Sequence, residues 1–184
     1  VLYGCNNESN DSHSNGTMAG IIPVVETSPS INNGAKTTVF WIHPTDTAKS
    51  AIIGGIQGGH LEVYNLQGFL LNLIPAGEIN GIDLRYHFLL NSQPVALIAV
   101  ANRTFNQLGF YTINPNTLQL TNIIAPTIAV SFTIKNLCMY YSILTDKYYV
   151  IVMDSEGIVQ QWELLPGSDG AIDAKRKRHF NANS

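Results

Sequence analysis

The chain has 184 residues, 45% of them hydrophobic and only 12% charged, with a formal charge of −3. That is enough apolar material for one ordinary domain with its own core. The acidic balance argues against a general nucleic-acid binder, and no apolar run reaches the length of a membrane-spanning helix.

In chain order, Val1-Leu-Tyr-Gly-Cys5 precedes a polar run, Asn6 to Ser12. The pattern is similar to the end of a bacterial lipoprotein signal, in which Cys5 becomes the lipid-bearing N-terminus and the protein is anchored at, or secreted to, the bacterial envelope. The other reading is a tail that merely contains a cysteine. Residues 6–20 carry too few hydrophobes to pack and are expected to be a flexible tether. Ile21 to Glu26 is a candidate edge strand, followed by a Pro/Ser/Asn/Gly linker. We therefore divide the chain into a tether over residues 1–35 and a folded body over 36–184.

The body begins with apolar runs separated by turn residues at intervals too short for helices. Val39 to Ile42, Ala51 to Gly54, Leu61 to Leu66 and Phe69 to Ile74 read as four strands of an antiparallel meander, broken at Pro44-Thr-Asp-Thr, Gly58-Gly59 and Asn65-Leu-Gln-Gly68. Leu61-Glu-Val-Tyr64-Asn-Leu66 is echoed by Leu108-Gly-Phe-Tyr111-Thr-Ile113 and by Val159-Gln-Gln-Trp162-Glu-Leu164. A period of roughly 50 residues is that of a four-stranded blade, and blades stacked around an axis form a propeller. The expected fold is all-β, a partial propeller of about three blades.

Between the copies, Ile82 and Leu84 alternate with Asp83 and Arg85, so the two charged side chains project from one face of a strand and can pair. Val95 to Ala101 reads as a buried strand ending in Asn102-Arg103-Thr104, and Leu118 to Ile124 continues the meander. A third copy is expected from near Phe132, through Met139 to Ser142, Tyr148 to Met153 and Val159 to Leu164. The acids of Asp154-Ser-Glu-Gly157 are read as a solvated turn, with cation ligation as the other reading. Cys138, inside an apolar run, is expected to be a small core residue; a bridge to Cys5 is the alternative. Lys175-Arg-Lys-Arg178 is read as a charged edge strand or loop, with a polyanion contact as the competing reading.

Familiar local chemistry is missing. The sequence holds no Gly-x-Ser-x-Gly elbow, no Gly-x4-Gly-Lys phosphate loop and no histidine pair at zinc spacing. Sites that assemble from distant loops, such as oxygen-rich calcium sites, remain open.

Phe40-Trp-Ile-His-Pro-Thr-Asp46, Leu61-Glu-Val-Tyr64, Asn80-Gly-Ile-Asp-Leu-Arg-Tyr86, Ala101-Asn-Arg-Thr104 and Glu156-Gly-x3-Gln-Trp-Glu-Leu164 occur in the order and spacing of the β-propeller phytases, which this chain resembles from about Lys36 to Ser184. The resemblance covers the N-terminal half of that family's six-bladed domain. It implies a calcium-dependent phosphomonoesterase acting on phytate, inositol hexakisphosphate, with Arg103, Asn102 and Arg85 binding substrate phosphate and Asn80 and Asp83 belonging to the family motif. The pattern also departs from the family: paired calcium-site aspartates fall at Lys36 and Thr37, Gly81 replaces an Asn, a substrate lysine becomes Gln57, and Lys135 and Ser155 replace a tyrosine and a lysine. The expectation is a phytase-like fragment or degenerate half domain, inactive alone. Its partners would be a phosphorylated small molecule and the rest of a propeller or a second phytase domain, with no nucleic acid and no membrane contact beyond a lipid on Cys5. The alternative is a non-catalytic platform that binds phosphorylated ligands or positions an intact domain.

Overall fold

The computed structural model describes residues 23–31, 34–124 and 127–183. Cys5, the expected lipidation position, and most of the expected tether lie outside these residues. Strands β1 (Ala35–Trp41), β2 (Ala51–Ile56), β3 (His60–Asn65) and β4 (Leu70–Pro75) form one sheet in the order 1-2-3-4. Strands β5 (Ile79–Leu90), β6 (Gln93–Asn102), β7 (Gln107–Ile113) and β8 (Leu120–Asn122) repeat the arrangement, and a two-residue strand β9 (Ile128–Ala129) joins the free edge of β7. Strands β10 (Asn136–Ser142), β11 (Lys147–Met153), β12 (Ile158–Pro166) and β13 (Ile172–Asn181) make the third meander. All pairings within the sheets are antiparallel.

Turn chemistry explains why the chain reverses where it does. Asn65, Asn114 and Asp154 each accept two main-chain N–H groups through one side-chain oxygen, closing turns before β4, before β8 and before β12. The phrase ending in Tyr64, Tyr111 or Trp162 lies in the third strand of each sheet, opposite Ile52, Ile98 and Val150 of the second strand. The sequence repeat is thus a structural repeat.

The first strands carry the contacts between sheets, with β1 packed on β5 and β5 on β10. They run side by side in a constant register. Lys36 meets Asn80 and Ile42 meets Tyr86, each pair 44 residues apart, while Asn80 meets Ile134 and Arg85 meets Met139, each 54 apart. Successive sheets therefore touch edge to edge at their first strands and diverge outward, as blades of a partial propeller do.

Two cores fill the wedges. Trp41, Ile53, Val63, Ile82, Ile98, Val100 and Tyr111 lie between the first and second sheets, and Leu97, Phe110, Ile134, Leu137, Met139 and Val150 lie between the second and third. Strand β6 gives Leu97, Ala99 and Ala101 to one core and Ile98 and Val100 to the other, which is why it reads as an unbroken apolar run. The outer sheets each have one face without a covering sheet among the described residues. This corrects the expectation for Cys138, which is exposed: alternation sends Leu137 and Met139 into the core and Cys138 to the uncovered side. Phe132 likewise precedes the third meander rather than opening it, because Asn136 is the first residue of β10. Lys175 to Arg178 do form part of an edge strand, β13.

The segment before β1 is partly seated on the first sheet. Pro23 to Glu26 forms no strand; instead Ser28 donates its N–H to the carbonyl of Gly68, and Gly34 accepts from Gln57. Between these points the fully buried Glu62 Oε1 accepts from Ser30 Oγ, the Ile31 N–H and His60 Nε2 at 3.2, 3.0 and 3.0 Å, while Tyr64 donates to Oε2. Burial pushes this carboxyl upward, but the donors, Tyr64 foremost, outweigh it and hold the group below its ordinary value.

A depressed carboxyl stabilises the fold fully above its unfolded value of about 4.3 and loses that contribution as pH falls through the folded value. The stability difference between wild type and Glu62→Gln, read from thermal unfolding between neutrality and about pH 3, is therefore expected to be about 1–3 kcal/mol at neutrality and to shrink toward acid. A pH-independent difference would contradict this.

Candidate functional site

One end of the strands collects the motif positions. Strands β1, β5 and β10 start there, and the hairpins β2–β3, β6–β7 and β11–β12 turn there, because Ala35 pairs with Ile56, Ile79 with Asn102 and Asn136 with Met153. Lys36, Gln57, Asn80, Arg103 and Ser155 thus share an end although they are spread over more than a hundred residues.

Arg103 sits in the β6–β7 turn. Its Nη1 lies 2.8 Å from Glu78 Oε1, and its N–H donates to the Glu78 carbonyl at 2.8 Å. With 38% of its side chain exposed, the guanidinium is anchored at one nitrogen and presents further donors to solvent. Asn102 is buried and supports the turn, donating to the Ala76 carbonyl at 2.6 Å and accepting from the Phe105 N–H. Gly77, with φ of 72°, fits against the Asn102 amide, where a Cβ would come within 2.7 Å. Asn102 therefore positions Arg103 rather than facing the solvent beside it.

Toward the axis, Lys36 Nζ donates to Asn80 Oδ1 at 3.1 Å, and Asn80 Nδ2 donates to the Ile134 carbonyl at 2.9 Å. Asn80 thereby bridges the start of the first sheet to the segment entering the third. Gly81 permits this approach: a Cβ there would stand 2.6 Å from Asn136 Oδ1 and 2.8 Å from the Leu137 nitrogen.

Asp83 and Arg85 lie deeper along β5, on the seam with β10. Asp83 Oδ1 accepts from the Leu84 N–H at 2.7 Å and from Arg85 Nη1 at 2.8 Å, and Oδ2 accepts from the Met139 N–H at 2.7 Å. Arg85 Nη2 donates to the carbonyl of the same Met139. The structure thus brings Asn80, Asn102 and Arg103 to the end of the strands and places Asp83 and Arg85 as a clamp between sheets. Glu78, which holds Arg103, gave no sequence signal: it stands in a connecting segment 25 residues away.

The calcium ion implied by the resemblance would need about six to eight oxygen ligands. Among the described residues no group of three or more His, Cys, Asp or Glu could hold a metal ion. Both Asp83 oxygens are engaged, Asp154 Oδ1 is taken up by two turn amides, and the ammonium of Lys36 rests on Asn80. Among the described residues, therefore, no set of carboxylates is gathered that would fit calcium.

A family model described as phytase matches residues 5–184. The chain is also 31% identical over 166 residues to a 3-phytase of Bacillus subtilis (strain 168), a match that covers 86% of this chain and 44% of that protein. The chain therefore spans less than half the length of this relative.

The seam acid Asp83 and the site residue Arg103 are expected to separate by experiment. Asp83→Ala leaves both polar groups of Met139 without their carboxylate-held geometry and should lower stability in urea by about 1–3 kcal/mol. Arg103→Ala, which removes one half-exposed ion pair, should cost less than about 1 kcal/mol. Equal losses would contradict the division between seam and site.

Proposed function

Because the chain belongs to the phytase family, we propose that it supplies a phosphate-binding arm of a phytase-type propeller and that, alone, it binds phytate without turning it over. The observation that carries this reading is Arg103, tied to Glu78 by a single nitrogen while its remaining donors stay open at the end where Lys36 and Asn80 also lie. A planar guanidinium matches two phosphate oxygens at once and is the residue type suited to this task. Phytate carries six phosphates, and its charge must be offset before a nucleophile can approach phosphorus.

Glu78 fixes the direction of the guanidinium without neutralising its whole surface, and Asn102 fixes the turn beneath it. Hydrolysis also needs an activated water, for which the described residues assemble no evident centre. Catalysis would then depend on further propeller, from the same chain or another, and calcium would be held by that part. The non-catalytic platform is the same proposal with no such supply.

Calorimetric titration with phytate at low salt should give binding of about 0.1–1 mM that weakens steeply with added salt. Arg103→Ala should weaken it about tenfold, whereas phosphate release should stay at background whether calcium is added or chelated. Turnover at rates usual for enzymes, on the order of 1 per second or more, would refute the second half of the proposal; binding indifferent to Arg103 would refute the first.

A further inference from the structure

A second site lies at the opposite end of the strands. The β5–β6 and β10–β11 hairpins, together with the end of β12, enclose a cleft of about 800 Å³ between the second and third sheets, within the range of small-molecule sites. Tyr86, Phe88, Tyr141 and Tyr148 supply its aromatic lining. Tyr148 is fixed on three sides: its hydroxyl donates to the Tyr86 carbonyl at 2.8 Å, Phe88 meets it edge-on at 5.3 Å, and Tyr141 leans on it at 4.7 Å.

A β-bulge between Arg85 and Phe88 shapes one wall. It holds His87 at φ of 63°, a conformation unfavourable for histidine, and places the exposed imidazole at the cleft. Bulges of this kind re-aim side chains beside binding sites, and local strain concentrates at such places.

Charge decides the class of ligand. Arg85 is paired with Asp83, Lys147 and Lys177 share Glu163, and Asp146 accepts the Tyr141 hydroxyl. Counting the lining residues with their direct partners, three cations meet three carboxylates. Glu163 is held below its ordinary value by hydrogen bonds from Lys147 and Lys177, so that pairing persists near neutrality. A phosphate would find no surplus of cations here, and an ammonium no surplus of acids. What remains is a set of aromatic surfaces beside an imidazole, a lysine and a carboxylate able to donate and accept hydrogen bonds.

We propose that this inter-sheet cleft is a binding site for an uncharged, hydroxylated ring compound, a sugar or cyclitol without phosphate, whose C–H face lies on the tyrosines while its hydroxyls meet His87, Asp146 and Lys147. The site is separate from the Arg103 end and does not depend on the phytate reading.

The test titrates the full chain with glucose, maltose and myo-inositol, each to about 100 mM, following amide resonances by NMR. At least one should shift residues 86–89 and 141–148 saturably, with a dissociation constant of about 1–10 mM. His87→Gly, which suits the positive φ, and Tyr141→Ala should each weaken binding at least about fivefold, and Phe69→Ala, at an exposed aromatic elsewhere, should not. Circular dichroism checks folding; if Tyr141→Ala unfolds, His87→Gly decides. No shift with any of the three, stronger shifts of these residues by phytate, or unchanged binding in the folded cleft variants would each overturn the proposal.

Discussion

Met139 is gripped through both of its main-chain polar groups by a single acid–guanidinium pair on the neighbouring sheet. Edge-to-edge contact between first strands would otherwise leave a row of main-chain donors and acceptors facing side chains instead of a pairing strand, and buried polar groups without partners are costly. Asp83 and Arg85 solve this with charge-assisted hydrogen bonds, while Asn80 and Gly81 bring the backbones close enough for the bonds to form. Once this register is set, the meander of each sheet places its remaining strands outward. The two apolar cores then fill the wedges between sheets.

The clamp also divides the candidate site from the cleft. Residues before it on β5 belong to the end where Arg103 is presented, and residues beyond it belong to the aromatic cleft. The two ends differ in the state of their charges. Arg103 keeps open donors beside a single acid, so it can take an anion. At the cleft, Arg85, Lys147 and Lys177 already have carboxylate partners. A family motif that looks like one stretch of sequence, residues 80 to 86, therefore serves packing at its centre, an end-facing bridge at Asn80 and the edge of a cleft at Tyr86.

Much of the architecture was legible beforehand because period and turn chemistry are local. Strand alternation, the Asn and Asp turn residues and the recurring aromatic phrase required no knowledge of what packs against what, and the family signature agreed with them. Cys138 shows where local reading failed: an apolar neighbourhood suggested burial, but its exposure depends on whether another sheet covers that face. Asp83 and Arg85 were correctly paired from their spacing, yet nothing nearby revealed that both reach Met139, 54 or more residues away.

By itself, then, the sequence determined an all-β chain of repeated meanders, since alternation and turn preference are properties of a few adjacent residues, while its motifs carried the likeness to the phytases. Only the tertiary structure decided that Glu78 holds Arg103, that Lys36 rests on Asn80, that both Asp83 oxygens are drawn into the seam, and that an aromatic cleft opens at the far end. Each of these depends on the distance between strands remote in sequence, set by the packing of whole sheets and invisible in any short stretch of residues.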